Sequence, residues 1–334
     1  MAKYRTERLD PGAYAEWDAF VAAQPDGSFF HTTGWLLRFA DRADITAAYD
    51  AKGAILGGAA LVRTSKFGVS GYHIPPYTPL FGPVIARSGK NRAASALLGN
   101  INAAAAVLDA LPRGNHYDFT FPLDGEISLL PYLWKGYTAE LRYSTLIQGT
   151  EGDYWNAMVR RKRFELTSAR RGIEDGTLVV DRDGPLEDLF PLSGEVSRLK
   201  GFRFNPRLCR AVFPAHERGA RWTLHLVRDR SGRCLAGSVL YFDGRRGYAL
   251  LNGVAADRRT SISDALILTM DGMIRECLSR GLPFDFEGSI LKGVAEFFIM
   301  LGGAPYPQVR LQKSPSLRYF LMRTGRRWRE ERRG

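Results

Sequence analysis

The sequence predicts an α/β chain built from two tandem copies of one unit. Three observations carry that expectation. Strand-like and helix-like stretches alternate along the chain, the order of α/β units. The stretch Phe284-Asp285-Phe286-Glu287-Gly288-Ser289 has the period-two pattern of a strand that ends at Gly-Ser. A weaker form of it occurs earlier: Arg113-Gly114-Asn115-His116-Tyr117-Asp118-Phe119 matches Arg280-Gly281-Leu282-Pro283-Phe284-Asp285-Phe286 at a spacing of 167 residues, half of 334. The echo extends upstream, where Gly53 to Leu61 resembles Gly232 to Leu240, and downstream, where Gly136 with Arg142 parallels Gly303 with Arg310. Domains over 1–150 and 151–334 follow.

In order, residues 14–24 predict a helix with Trp17, Phe20 and Val21 on one face, stopped by Pro25-Asp26-Gly27-Ser28. Thr32 and Thr33 are placed to cap a second helix through Trp35, Leu36 and Phe39. Residues 45–50 and 54–64 form a hairpin turning at Lys52-Gly53. The segment 68–83 is too rich in proline for a central strand and predicts a rigid loop. A long alanine-rich helix over 91–111 precedes a strand at 116–121, and 138–147 closes the first copy.

Residues 154–172 predict a strongly basic helix with Trp155, Met158, Phe164, Leu166 and Ala169 as its apolar positions. A short strand at 177–180, helices at 186–199 and 208–218, and strands at 222–228, 234–242 and 248–254 follow. The last of these runs through a polar loop into a helix at 264–280. The Phe-Asp-Phe-Glu strand, a helix at 294–301, a strand at 309–313 and a helix at 316–322 complete the chain.

The 45% hydrophobic content supports two real cores. Forty-seven basic against 35 acidic residues give a formal charge of +12, which suits an anionic partner: nucleotide phosphates, a nucleic acid or an anionic lipid surface. Arg160-Arg161-Lys162-Arg163 and the arginines from Arg323 onward concentrate that charge. Three scattered cysteines, Cys209, Cys234 and Cys277, form neither a disulfide framework nor a metal motif, so no metal is expected. With no run of about 18 apolar residues and no apolar N-terminal stretch, a cytoplasmic protein in peripheral contact with a membrane is expected.

The loop Arg258-Arg259-Thr260-Ser261-Ile262-Ser263 leads into a helix whose unpaired N–H groups and positive dipole end suit phosphate oxygens. Helices also begin with Ser or Thr merely to cap themselves. Strand, loop and helix here resemble the GCN5-related N-acetyltransferase (GNAT) superfamily, whose pyrophosphate loop reads Arg/Gln-x-x-Gly-x-Gly/Ala; this chain carries serines where the glycines belong. The branch resembled is the FemAB-like group of tandem acyltransferases. The resemblance rests on Trp17 through Ser28-Phe29-Phe30-His31-Thr32-Thr33-Gly34-Trp35, on Tyr154-Trp155 through Arg163 and Ala169-Arg170-Arg171-Gly172, and on Phe284 to Ser289 with Gly293-Val294 and Phe297-Phe298.

That resemblance implies two tandem GNAT-like folds, each a mixed central sheet flanked by helices. It also implies transfer of an acyl or aminoacyl group to an amine or hydroxyl of a cell-envelope or polysaccharide precursor. The co-substrate is then acyl-CoA or aminoacyl-tRNA, with no tightly bound cofactor, and Arg258, Arg259, Thr260, Ser261 and Ser263 hold its phosphates. The acceptor is an anionic small molecule or a lipid-linked or nucleotide-linked substrate. Glu287 is the first candidate for the base that takes the proton of an attacking amine, because its counterpart in the first copy is Thr120 whereas Asp285 and Asp118 match. Asp285 reads as a structural acceptor of backbone hydrogen bonds. His31 is a second acid/base candidate, with His73 and His116 behind it. Arg163, Asn252 and Tyr241 are candidates for substrate contact, with Tyr248 and Tyr306 as further hydroxyl donors. The competing reading is a binding module with degenerate GNAT folds that recognises an anionic ligand without turnover.

Overall fold

The computed structural model describes residues 4–66, 69–87, 92–123, 128–199, 201, 203–256, 260–288 and 292–314. The first half runs β1 (Arg5–Leu9), α1 (Tyr14–Ala23), α2 (Thr33–Leu36), β2 (Asp44–Tyr49), β3 (Ile55–Leu61), β4 (Thr64–Lys66), β5 (Val69–Gly71), β6 (Val84–Ile85), α3 (Ala93–Ala110), β7 (Tyr117–Pro122), α4 (Leu130–Trp134) and β8 (Thr138–Ile147). The second half runs α5 (Glu151–Ala157), α6 (Arg160–Glu174), β9 (Leu178–Asp181), α7 (Phe190–Leu199), α8 (Pro206–Val212), β10 (Trp222–Asp229), β11 (Cys234–Phe242), β12 (Gly247–Val254), α9 (Thr260–Ser279), β13 (Phe284–Asp285), α10 (Lys292–Met300) and β14 (Ala304–Lys313). From β1 and from β9 the same series follows, strand, two helices, a hairpin, a strand, a long helix, a strand, a short helix and a strand, with the small β4–β5 pair inserted after the hairpin of the first copy. The doubling read from the sequence is therefore a doubling of structure.

Two compact units result, one of residues up to 142 together with 307 onward, the other of residues 143–306. This differs from a division at 150 and 151 because the last strand of each copy is exchanged. In the first unit β14 pairs antiparallel with β7, Val309 opposite Phe121 and Arg310 opposite Thr120. In the second, Leu146 and Ile147 of β8 pair antiparallel with β13. A strand's partner is set by register and by the faces of its side chains, so chain order does not reveal such an exchange.

The first unit carries the antiparallel sheet β1-β2-β3-β6. Trp17 of α1 is fully buried on it. Gly58 in β3 makes this possible, since a Cβ there would lie 2.5 Å from the Trp17 ring and 2.6 Å from the Thr46 carbonyl oxygen. Every residue of β7 except Pro122 is buried, and Phe119 stacks on Tyr137 with ring centroids 5.7 Å apart.

In the second unit the strands lie in the order β8-β13-β12-β11-β10-β9. All are antiparallel except β12 and β13, which run parallel because α9 carries the chain across between them. Ala265, Ile267, Met270, Met273, Ile274 and Cys277 of α9 are buried, and each large apolar side chain among them stabilises the unit by about 1.5–3 kcal/mol.

Several expectations are corrected. The basic helix over 154–172 is two helices, because Met158 and Val159 are extended and the Val159 N–H donates instead to the Met300 carbonyl at 3.0 Å. Phe164, expected on its apolar face, is 74% exposed. The helix over 208–218 is α8 alone, ending at Val212, and the loop after residue 63 holds the small hairpin β4–β5. The strand at 284–287 is two residues long. The helix expected at 316–322 and the arginines from Arg323 lie outside the described residues.

Candidate functional site

The short length of β13 has a local cause. Phe284 and Phe286 are buried, and Phe286 stacks on Phe298 of α10 at 4.3 Å. Beyond them the backbone turns left-handed twice, with φ of +62° at Glu287 and +60° at Gly288. A side-chain-bearing residue pays roughly 1–2 kcal/mol for that conformation. Gly288 is required here, because a Cβ would stand 2.2 Å from the carbonyl oxygen of Tyr143. The turn ends the strand and leaves the Glu287 side chain exposed.

Asp285, 1% exposed, is the buried anchor of this turn. It accepts a hydrogen bond from the Ser144 hydroxyl and one from the Glu287 N–H at 2.8 Å, as its structural reading anticipated. Burial outweighs these bonds and pushes its pKa up to about 6. Glu287 is raised well above the ordinary carboxylate range, first by loss of hydration and then by the Asp285 charge. Its side chain keeps surface open to water while neighbouring protein limits the hydration of the carboxyl. Beside it, Arg246 lies 3.7 Å from Asp285, donates to the Tyr306 hydroxyl at 2.6 Å and covers that ring. Tyr248 donates to Asp243 at 3.1 Å.

The repeat supplies an internal control. Asp118, the partner of Asp285 in the first copy, is equally buried, but Arg310 grips it with two hydrogen bonds, one of 2.6 Å. Burial opposes ionisation there too, yet Arg310 and His116 hold the carboxyl down at about 2. One duplicated aspartate is thus locked as a carboxylate, and the other sits near neutrality beside a second raised carboxyl.

A second cluster adjoins the same turn through α10: Phe298 packs on Phe286, and Lys162 of α6 lies over the Phe297 ring at 5.0 Å. Helix α6 runs alongside α9 in the same direction. Arg170 pairs with Asp271 at 2.9 Å, and about two turns earlier on α9 the pKa of Asp264 is raised by burial and by the charge of Glu165. The N-terminal turns of both helices, Arg160 to Arg163 and Thr260 to Ser263, therefore lie at one end of the pair. Arg163 is half-buried, and its guanidinium makes no hydrogen bond or ion pair among the described residues. Ser261 is half-buried and Ser263 exposed at the same end. Arg258 and Arg259, with the side chain of Thr260, lie outside what is described.

Other candidates are placed elsewhere. Tyr241 is fully buried and packs on Phe213 at 6.3 Å, so its hydroxyl belongs to the core and not to a substrate surface. Asn252 sits beside a bulge at Leu250; its amide donates to the Ala249 carbonyl at 3.0 Å and accepts from Ser238 at 2.7 Å, which makes it the residue that closes the bulge. His31 belongs to the first unit and Glu287 to the second. The His31 imidazole accepts the Ser28 N–H at 3.2 Å in a capping box, a structural use of the ring, and also lines a cavity of about 40 Å³ with Thr120, Tyr132 and Asn100. His73 and His116 stack at 4.6 Å and are buried. Cys209 and Cys277 are buried, and burial pushes the Cys234 thiol up to about 11, so neither a disulfide nor a reactive thiolate arises from them.

No protein-family model and no curated protein matches the sequence. Solved structures do match the fold. FemX superposes with a TM-score of 0.60 at 16% identity, over 91% of this chain and 96% of its own. The fold is the tandem GNAT fold of FemX. L-PGS from Bacillus licheniformis follows at TM-score 0.52 and 13% identity, over 96% of this chain and 97% of that one. A tandem GNAT protein from the clavulanic acid biosynthesis pathway gives 0.52 at 12%, over 94% and 100%. Within this tandem GNAT fold, the feature that sequence reasoning missed is the left-handed backbone at Glu287, for which the adjacent Gly288 was the one available signal. Arg163, a candidate from the sequence, keeps a guanidinium without a partner among the described residues.

Proposed function

We propose that the chain is an acyltransferase whose acid/base group is Glu287. The carrying observation is the strained left-handed backbone at Glu287, which presents a carboxyl with a raised pKa beside the buried Asp285. Strain of this kind is retained where the surrounding structure over-determines it, and it clusters at working sites. A carboxylate with a raised pKa is a stronger base, suited to taking the proton of an amine or hydroxyl as that nucleophile attacks an acyl carbon. The new bond to the acyl carbon forms as the bond to the donor's sulfur or oxygen breaks, and the proton passes to Glu287.

The donor's phosphates would lie at the shared end of α6 and α9, where two helix N-termini, Arg163 and the hydroxyl of Ser261 converge, with Arg258, Arg259 and Thr260 alongside in sequence. Acyl-CoA and aminoacyl-tRNA both fit this requirement. The tandem GNAT protein of the clavulanic acid pathway is described in relation to AcCoA, which favours a coenzyme A ester. FemX and L-PGS share the fold, and with them the reading extends to an acceptor on a cell-envelope precursor.

The test is a melting-temperature screen of the whole chain with acetyl-CoA, longer acyl-CoA and charged tRNA, repeated on Arg258→Ala/Arg259→Ala. At about 100 times Kd a donor adds about 2.7 kcal/mol to stability. A shift with a coenzyme A ester that the double variant loses supports the donor site. A shift with charged tRNA alone moves the donor to aminoacyl-tRNA. No shift with any of them overturns the donor site and favours a binding module.

A further inference from the structure

In the first unit an apolar surface stands out that the proposed chemistry does not use. Helix α3 has no charged residue before Asp109, and its length and composition match those of a membrane-crossing helix although Ser95, Asn100 and Asn102 interrupt it. Its buried residues, Ile101, Ala103, Ala104, Val107 and Leu108, all lie in its later turns. Toward its start Leu97 is 48% and Leu98 59% exposed. Helix α4 packs on α3, and the Lys135 ammonium just beyond it pairs with Asp109. At helical spacing of three and four residues α4 presents Leu130 at 46%, Leu133 at 46% and Trp134 at 66% exposure, with Pro131 and Tyr132 turned inward.

Charge says what such a face would meet. Between Asp50 and Asp109 the sequence contains no acidic residue, while Lys52, Arg63, Lys66, Arg87, Lys90 and Arg92 all fall there. Arg92, at the cap of α3, is exposed at the edge of the leucines. A second copy of the chain is a poor occupant, since each copy carries a formal charge of +12 and the two would repel. An anionic bilayer is the complementary surface: its lipids attract the basic residues, and leucine and tryptophan enter the headgroup boundary, where tryptophan is the preferred interfacial anchor.

We infer that the α3–α4 face, with Leu97, Leu98, Leu130, Leu133 and Trp134 as its apolar floor, docks on an anionic membrane surface. The unit is held peripherally, on its exposed side chains alone. This rests on nothing assumed about the transferase site.

The experiment is co-sedimentation of the full chain with vesicles of equal parts phosphatidylcholine and phosphatidylglycerol, and with phosphatidylcholine vesicles. Binding to the anionic vesicles is expected, weakened by salt, with Leu133→Asp/Trp134→Asp lowering the partition coefficient by about tenfold or more at an unchanged melting temperature. Leu199→Asp, at a still more exposed leucine of α7 (74%), should bind like the parent. No binding to anionic vesicles, equal binding to both vesicle types, or equal losses in the two variants would each overturn the inference. A parent dimer in solution that Leu133→Asp/Trp134→Asp dissolves would assign the face to a second copy instead.

Discussion

Asp285→Asn and Asp118→Asn should move stability in opposite directions. The Asp285 carboxyl rises from 3.8 to about 6, about two pK units, worth about 3 kcal/mol at roughly 1.4 kcal/mol per unit. Its folded pKa lies above its unfolded one, so the folded state holds the proton more tightly. Stability is therefore full below about pH 4 and falls as pH rises through the window from 4 to 6, remaining lower above it. Asparagine has no charge to desolvate and can still accept the Glu287 N–H, so the variant should gain up to about 3 kcal/mol on the parent above pH 6 and nothing below pH 4. Asp118 is the reverse case. Its folded pKa of about 2 lies below the unfolded value, so its contribution is present above pH 4 and is lost as pH falls through about 2. Asp118→Asn removes that contribution and leaves the Arg310 guanidinium facing an amide, a loss of about 2–3 kcal/mol at neutral pH. Urea unfolding of the three proteins at half-unit steps from pH 4 to 8 measures both. If Asp285→Asn is as destabilised as Asp118→Asn at pH 7, or if its difference from the parent does not change between pH 4 and 6, the assignment of Asp285 as a costly carboxylate is wrong.

Glu287→Gln should lower kcat of any acyl transfer by about 10²- to 10⁴-fold with little change in melting temperature, and the parent's pH–rate profile should show an acid limb well above the ordinary carboxylate range. That limb should move to lower pH in Asp285→Asn, since one of the two causes of the shift is gone. Glu287→Gly, which relieves the left-handed strain, should be about 1 kcal/mol more stable than the parent while as inactive as the glutamine variant, as chemical denaturation beside the same assay would show. Gly288→Ala, by contrast, forces a Cβ against the Tyr143 carbonyl and should cost at least about 3 kcal/mol in the same unfolding measurement. Arg163→Met should weaken donor binding by roughly tenfold in a calorimetric titration without lowering the melting temperature, because the guanidinium holds no partner among the described residues.

How much of this was legible depends on where the determining contact lies in the chain. The alternation at Phe284 to Phe286 is local, and it placed the strand, its two buried rings and the buried Asp285. The left-handed turn after it was not legible, since what demands Gly288 is a carbonyl at Tyr143, far away in sequence. The break between α5 and α6 escaped for the same reason: Val159 gives its N–H to Met300, and nothing in Met158-Val159 itself forbids a helix. Phe164 looked like core because periodicity shows which residues share a face without showing what covers that face. Tyr241 and Asn252 carry suitable chemical groups, but burial and a bulge had already engaged them. The doubling was readable because each copy preserves the same local demands, such as the glycines at 58 and 237, where a Cβ would collide with Trp17 and with Leu226.

The exchange of final strands has a consequence for how the molecule is made. The unit of residues 143–306 is one uninterrupted stretch, so all of it is available as soon as residue 306 has left the ribosome. The unit of the lower-numbered residues is synthesised first and yet lacks β14 until the whole of the second unit has been made, so the register from Gln308–Pro122 to Lys313–Tyr117 waits on residues 308–313. The usual order of vectorial folding, N-terminal unit first, is inverted. Until then one edge of β7, with its run of tyrosine and phenylalanine, has no hydrogen-bonding partner from β14 and is the place where the nascent chain most needs protection from pairing with another.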